Sequence, residues 1–329
     1  LLALIMIEIL VVFPRHLEKN RDGDAAEVLT TAQGLDDPDA NDFHDKQDPS
    51  KTASQKISGL HLVESKDGQQ DWELFADFAE GAQGQSGWNL QNVKVLFFNN
   101  GSAEFTVTGQ SGAVDSQTKD LHIKGHVVTQ SKNGYMLQTE YVEYLSKKRE
   151  INCPETVKMQ GPKDSQGDGL NVTGVGLLAQ VELGTILLNK NIHATKLMKE
   201  QKMLKIRSEK AQFSGKSREA KFIGDVGIEF DKMTLNGEEA EFRYGAQKDL
   251  FDFLNIRGAV RVTDGKRKAI AQNLDMDLLD HQYVFSGNPK LIQDGDELLG
   301  EKIIFLDRGK RVKVDKINAN GQNLPESHY

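Results

Sequence analysis

A chain of 329 residues has room for about two ordinary domains, but with 7% aromatic and 27% charged residues any core must be narrow. The formal net charge of -8 comes without clusters of Lys or Arg, which excludes a nucleic-acid groove built on a basic face. A single cysteine, Cys153, excludes an internal disulfide, and with no His or Asp constellation around Cys153-Pro154 it reads as a buried or turn thiol rather than a nucleophile.

The segment from Leu1 to Phe13 is apolar except for Glu8 and stops at Pro14-Arg15-His16. That run falls short of the roughly twenty residues that cross a bilayer, so residues 1–14 are read as part of a membrane anchor, with the hydrophobic stretch of a signal peptide as the alternative. No small-x-small cleavage signal follows, which favours the anchor, whereas Arg15, Lys19 and Arg21 beyond it weigh the other way. Residues 15–56 carry Asp22-Gly23-Asp24, Asp36-Asp37-Pro38-Asp39 and further acids to Asp48, with too few apolar side chains to bury. They read as an acidic flexible linker, and His44 within them as a solvated residue rather than a metal ligand.

From Ile57 the pattern turns to strands, and one eight-residue phrase recurs: an apolar residue, a small one two later, then apolar or small residues five and seven later. In order, its copies are Leu74, Ala76, Ala79, Gly81; Val107, Gly109, Gly112, Val114; Leu137, Thr139, Val142, Tyr144; and Val172, Gly174, Leu177, Ala179. They continue as Ile206, Ser208, Ala211, Phe213; Leu235, Gly237, Ala240, Phe242; Ala269, Ala271, Leu274, Met276; and Leu298, Gly300, Ile303, Phe305. A spacing of about 29 to 35 residues is that of stacked supersecondary units. Steps of two fit one face of a strand, and the step of three breaks that parity unless a bulge or corner absorbs it, where a small residue is tolerated. Between copies lie alternating runs led by a glycine, at Gly125-His126, Gly224-Asp225, Gly258-Ala259 and Gly287-Asn288, and hairpin turns such as Lys132-Asn133-Gly134, Asp264-Gly265 and Asp294-Gly295. Each unit is therefore about two strands, and the units must stack to close a core; an ordinary β-sandwich is the alternative.

Two families enter through particular residues. A strand and turn followed by Trp72-Glu73-Leu74-x-Ala76, by Leu90-x-Asn92-Val93-x-Val95 and by Asp115 through Lys119-Asp120-Leu121-His122-Ile123-Lys124-Gly125-His126-Val127 resembles the LptC family over about residues 57–195. From Met203 the copies resemble the related LptA, or OstA-like, family, most specifically over Ser286-Gly287-Asn288-Pro289-Lys290-Leu291 to Gly300-Glu301. The resemblance implies an all-β fold, an elongated half-open β-jellyroll of repeated hairpins, divided at residues 57–200 and 201–329. It also implies a periplasmic, inner-membrane-anchored component of lipopolysaccharide transport, which receives lipid from the inner-membrane ABC transporter of the Lpt system and joins other β-jellyroll Lpt proteins by strand addition.

The residue pattern alone leads to a compatible place. If two sheets face each other, the phrase positions together with Ile123, Val127, Val226, Ile228, Val260, Val262 and Leu291 line one apolar interior, and burying a lipid chain there gains roughly 0.8 kcal/mol per methylene. The candidate ligand contacts are therefore Leu74, Val107, Ile123, Val127, Leu137, Tyr144, Val172, Leu177, Ile206, Phe213 and Val226, continuing through Ile228, Leu235, Phe242, Val260, Val262, Leu274, Met276, Leu291, Leu298, Ile303 and Phe305. A filled β core would need the same residues.

Enzymatic readings fare worse. Gly109-Gln110-Ser111-Gly112 lacks the spacing of a nucleophile elbow, His122 and His126 share no helix face, and no nucleotide-binding loop is present. Acids recurring at the fourth place of the phrase, at Asp77, Glu140, Glu209, Glu238 and Glu301, read as a solvated corner rather than glycosidase pairs. No cofactor or metal is expected. The competing function is a surface β-helix, an adhesin or polysaccharide-degrading enzyme. Docking edges are expected near Leu60 and at Val312-Lys313-Val314.

Overall fold

The computed structural model describes residues 54–315, apart from short stretches at 67, 83, 100, 133, 164–167, 181–182, 184, 198–200, 215–216, 245–250 and 307–310. The expected anchor, His44 and nearly all of the acidic linker lie outside the described residues. Within them the regular structure is twenty strands, all in one sheet. The first nine are β1 (Ser54–Lys66), β2 (Gln69–Ala82), β3 (Gly87–Asn99), β4 (Ser102–Asp115), β5 (Leu121–Ser131), β6 (Met136–Leu145), β7 (Glu150–Gln160), β8 (Asn171–Gln180) and β9 (Thr185–Leu197). They are followed by β10 (Met203–Ser208), β11 (Lys210–Ser214), β12 (Glu219–Phe230), β13 (Met233–Tyr244), β14 (Phe251–Asp264) and β15 (Arg267–Asp277). The last are β16 (Gln282–Ser286), β17 (Lys290–Gln293), β18 (Asp296–Leu299), β19 (Lys302–Leu306) and β20 (Arg311–Asp315).

The alternation of side chains dictates this. In β10, Leu204, Ile206 and Ser208 are buried while Lys205 and Arg207 are exposed, so only a pleated strand with one dry face satisfies the segment. All pairings are antiparallel, and from β1–β2 and β2–β3 onward each long strand pairs with the next; β10 and β11 lie end to end between β9 and β12, while β16 and β17 both pair with β15 and are followed across the sheet by β19 and β18. A meander of this kind is not the parallel coil of a β-helix, and the adhesin-like architecture is set aside. Strand β9 pairs with both β10 and β11, so the first nine strands and those that follow share one ladder.

Long strands need a way to fold over on themselves, and the phrase supplies it. Ile123 pairs with Val142 and Val127 with Thr139, so the Gly125-His126 strand takes four steps where the phrase strand takes three. The same mismatch recurs where Gly224-Asp225 lies opposite Glu238 and where Gly258-Ala259 lies opposite Gln272. At each corner two successive residues are left-handed, with φ of 80° and 49° at Gly125-His126, 81° and 41° at Gly224-Asp225, and 77° and 46° at Gly258-Ala259. The parity break read from the sequence is thus a bulge, and the glycines that appeared to lead short runs sit in mid-strand.

The recurring polar residue at the fourth place of the phrase lies on these glycines. A Cβ on Gly224 would lie 2.5 Å from the Glu209 carboxylate, one on Gly258 2.5 Å from that of Glu238, and one on Gly125 2.6 Å from the Gln110 amide. Glu140 accepts the His126 backbone N–H at 3.2 Å, and Asp77 accepts from Asn92, itself left-handed at φ 53°. These acids are the corner itself, as the sequence reading expected of them.

Because neighbouring strands run in opposite directions, their connections fall alternately on two rims, and the corners fold one rim toward the other. Gly258→Ala is expected to destabilise the protein by about 1–3 kcal/mol, the cost of a left-handed non-glycine residue plus displacement of Glu238. Gly59→Ala, at φ 70° but with nothing within 4 Å of the added carbon, should cost less; urea denaturation midpoints of the two variants test the order.

Candidate functional site

Folding each strand at its corner turns the phrase positions inward. Of the sequence-derived candidates, Leu74, Val107, Ile123, Val127, Tyr144, Val172, Leu177, Ile206, Phe213, Val226, Ile228, Leu235, Phe242, Val260, Leu274, Met276 and Ile303 are buried. Leu137, Val262, Leu291, Leu298 and Phe305 are partly buried and pack against the same cluster. One apolar interior therefore runs the length of the ladder.

The interior is not uniformly filled. A cavity of about 100 Å³ lies between β3 and β11, and its wall includes the candidates Val107, Ile123, Leu137, Tyr144, Val172, Leu177 and Phe213. Toward the C-terminus the protein's own rings take up the space. Phe222 packs edge-on against Phe213 and Phe242 at 6.0 and 5.9 Å, and Phe285 against Phe305 at 5.7 Å. Phe242, Val226, Val260 and Leu274 are core there and do not border the cavity.

Several wall residues escaped the phrase, among them Phe97, Phe105, Leu121, Ile151 and Met159. Phe97 stacks on Phe105 at 4.7 Å and meets Tyr144 edge-on at 5.2 Å. These residues come from strand ends beyond the corner, where plain alternation was the signal available. Tyr144 donates its hydroxyl to Asp71 Oδ2 at 3.3 Å, and Asp71 also receives Arg149 Nη2 at 3.1 Å. Burial first, and the Asp71 charge second, push the Tyr144 phenol well above its ordinary value, so it is a fixed donor.

Cys153 corrects the turn reading. It lies within β7, and Pro154 is tolerated there because β6 and β7 part between the Gln138–Lys158 and Glu143–Asn152 pairs. A wetter opening of about 410 Å³ marks that gap, bordered by His126, Gln138, Glu140, Thr156 and Lys158. Cys153 is buried, borders the apolar cavity and sits 2.9 Å from Thr139 Oγ1. Of the histidines, His122 contacts the Tyr141 hydroxyl at 2.8 Å, and among the described residues no cluster of His, Cys, Asp or Glu could hold a metal ion. Gly109 to Gly112 form the corner of β4 rather than an elbow.

Burial raises the Cys153 thiol above its ordinary range. As pH rises the unfolded chain loses this proton first, so the contribution to stability is complete below the ordinary thiol range and is lost as pH climbs through the folded value. Cys153→Ser should flatten the alkaline limb of a midpoint-versus-pH series. A charged alkylating reagent should label the native thiol at least about ten-fold more slowly than the unfolded one.

An apolar cavity in a strand-built trough, with no catalytic or metal constellation beside it among the described residues, suits retention of a hydrocarbon chain. The family comparisons agree with that chemistry. The model for lipopolysaccharide-assembly, LptC-related proteins matches residues 29–197, and that for the LptA/(LptD N-terminal domain) LPS transport protein matches residues 205–312. Among solved structures, LptH from Pseudomonas aeruginosa, titled the LptA-homologous periplasmic component of the lipopolysaccharide transport device, aligns at 16% identity and a TM-score of 0.32. The alignment covers 38% of this chain and 93% of that one. No curated protein matches. Matched over just over half of its length, the chain belongs to the LptC-related lipopolysaccharide-assembly family, carries an LptA-like segment behind it, and is a periplasmic component of lipopolysaccharide transport.

Proposed function

We propose that the chain is a non-enzymatic conduit, which holds the acyl chains of lipopolysaccharide in its apolar interior and hands them along the strand ladder toward the outer membrane. The observation that carries this reading is the cavity of about 100 Å³ bordered by the inward phrase positions of the LptC-like half. Each methylene buried there contributes roughly 0.8 kcal/mol, so partial engagement of several chains is firm. The LptC-like half, residues 57–200, takes the lipid first. The filled core around Phe213, Phe222 and Phe242 in the LptA-like half receives it as those rings give way.

In this reading residues 1–14 anchor the chain in the inner membrane beside an ABC transporter, whose nucleotide hydrolysis supplies the energy. Among the described residues no helix is long and apolar enough to span a bilayer. Strand addition by other β-jellyroll Lpt proteins uses the ends of the ladder. Strand β1 is paired on its β2 side and β20 on its β19 side, and Leu60 and Val312 to Val314 lie within them.

Photo-crosslinking residues at Ile123 and Leu137 are expected to capture lipopolysaccharide in cells, with weaker capture at Phe242, Val262 and Phe305, and none at the outward-facing Arg261. Capture at Arg261 with none at Ile123 or Leu137 would remove the conduit reading.

A further inference from the structure

The rims of the trough are joined over the cavity. Asp71 lies at the start of β2 on one rim, while Tyr144 and Arg149 flank the turn that ends β6 on the other. The Arg149–Asp71 ion pair at 3.1 Å and the Tyr144–Asp71 hydrogen bond at 3.3 Å therefore connect strands that are not ladder neighbours. A second bridge, Lys119 to Glu64 at 3.4 Å, repeats the connection one turn away and is the more exposed of the two. Further along, Lys221–Glu239, Arg257–Asp275 and Lys290–Glu297 each join adjacent strands and hold no rims together.

The size of the cavity gives these contacts a role. An apolar cavity of roughly 150 Å³ accepts a benzene, so about 100 Å³ accepts only a stub of an acyl chain with the rims in place. Entry of whole chains requires the rims to part, and the buried polar contacts that must break are those of Asp71, beside the Phe97–Tyr144 edge contact and the solvated Lys119–Glu64 pair. Tyr144 belongs to both structures, its ring forming cavity wall and its hydroxyl reaching Asp71. The joined state is also imperfect, since Trp72 Nε1 and Arg149 Nε are buried with no acceptor among the described residues. Stranded donors of this kind lower the net gain from closure.

We infer that Asp71, Arg149 and Tyr144 form a latch that fastens the two rims over the apolar cavity, and that its release sets the rate at which the lipid enters. This rests on the conduit reading for the identity of the lipid, but not for the fastening itself. Asp71 and Arg149 are positioning residues: they act on access, and the cavity wall does the holding. Lys119 and Glu64 are an auxiliary tie, weak because its groups remain solvated.

The test uses the full-length chain in detergent, with Asp71→Asn, Arg149→Gln and the charge-reversed double variant Asp71→Arg/Arg149→Asp. Nitroxide labels at Ser65 and Lys148, both exposed and on opposite rims, report rim separation without lipid. Stopped-flow association of fluorescent lipopolysaccharide reports entry. The single variants should show a longer, broader label distance and association several-fold faster than wild type, and the reversed pair should return both toward wild type. Unchanged distances in the single variants would overturn the latch, as would slower or weaker association in them, which would make Arg149 a ligand contact. Circular dichroism midpoints within a few degrees of wild type confirm that the variants are folded. If wild type takes up no lipopolysaccharide while the label distances still respond, the latch stands and the conduit reading fails.

Discussion

The structure depends on one local device, a left-handed glycine lying beneath a polar side chain from the preceding strand. Gly125 under Gln110, Gly224 under Glu209 and Gly258 under Glu238 repeat it along the ladder. Each instance lets a long strand bend through a corner without losing its partners, because four residues on one strand are matched to three on the other. Without that mismatch the strands would continue straight, the sheet would have two solvated faces, and the inward stripe of Leu, Ile, Val and Phe would have nothing to pack against. The interior is a consequence of the corner, and the cavity is a consequence of how well the interior is filled.

Filling differs between the halves for reasons visible in single residues. Phe213, Phe222 and Phe242 come from successive strands at matching depth and meet edge to face, which aromatic quadrupoles favour. In the first half Val114, Tyr144 and Ala179 stand at the phrase place of Phe213 and Phe242, and Ile123 stands two residues before its corner glycine where β12 has Phe222. Val114, Ala179 and Ile123 are smaller than phenylalanine, and Ala179 and Ile123 border the cavity. Packing a β interior to normal density takes bulk on both sheets, and the LptC-like half does not supply it.

Much of this was legible in the sequence because the corner imposes a parity break that no other strand feature imposes. The spacing of Leu235, Gly237, Ala240 and Phe242 announced both the inward face and the bulge, and the acids at the fourth place marked where the bend would be. What stayed hidden had no local signature. Asp71 and Arg149 are 78 residues apart, and nothing in either neighbourhood signals that folding the strands would bring their rims together. Cys153-Pro154 looked like a turn because proline usually ends a strand; only the parted β6–β7 ladder explains how it lies inside one. The split between a roomy half and a filled half was equally unreadable, since both carry the same phrase and volume is decided by what stands opposite.

Strand β9 hydrogen-bonds to β10 and β11 as it does to β8, and the join between the two family segments is therefore an ordinary rung of the ladder. Counting interrupted strands once, the ladder stacks to roughly 80 Å at about 4.8 Å per strand. Two separate jellyrolls spanning that distance would meet at a contact that dissociates by mass action and dilutes with concentration. Here the span is covalent, its length is fixed by the number of hairpins, and no step of assembly can leave it half built.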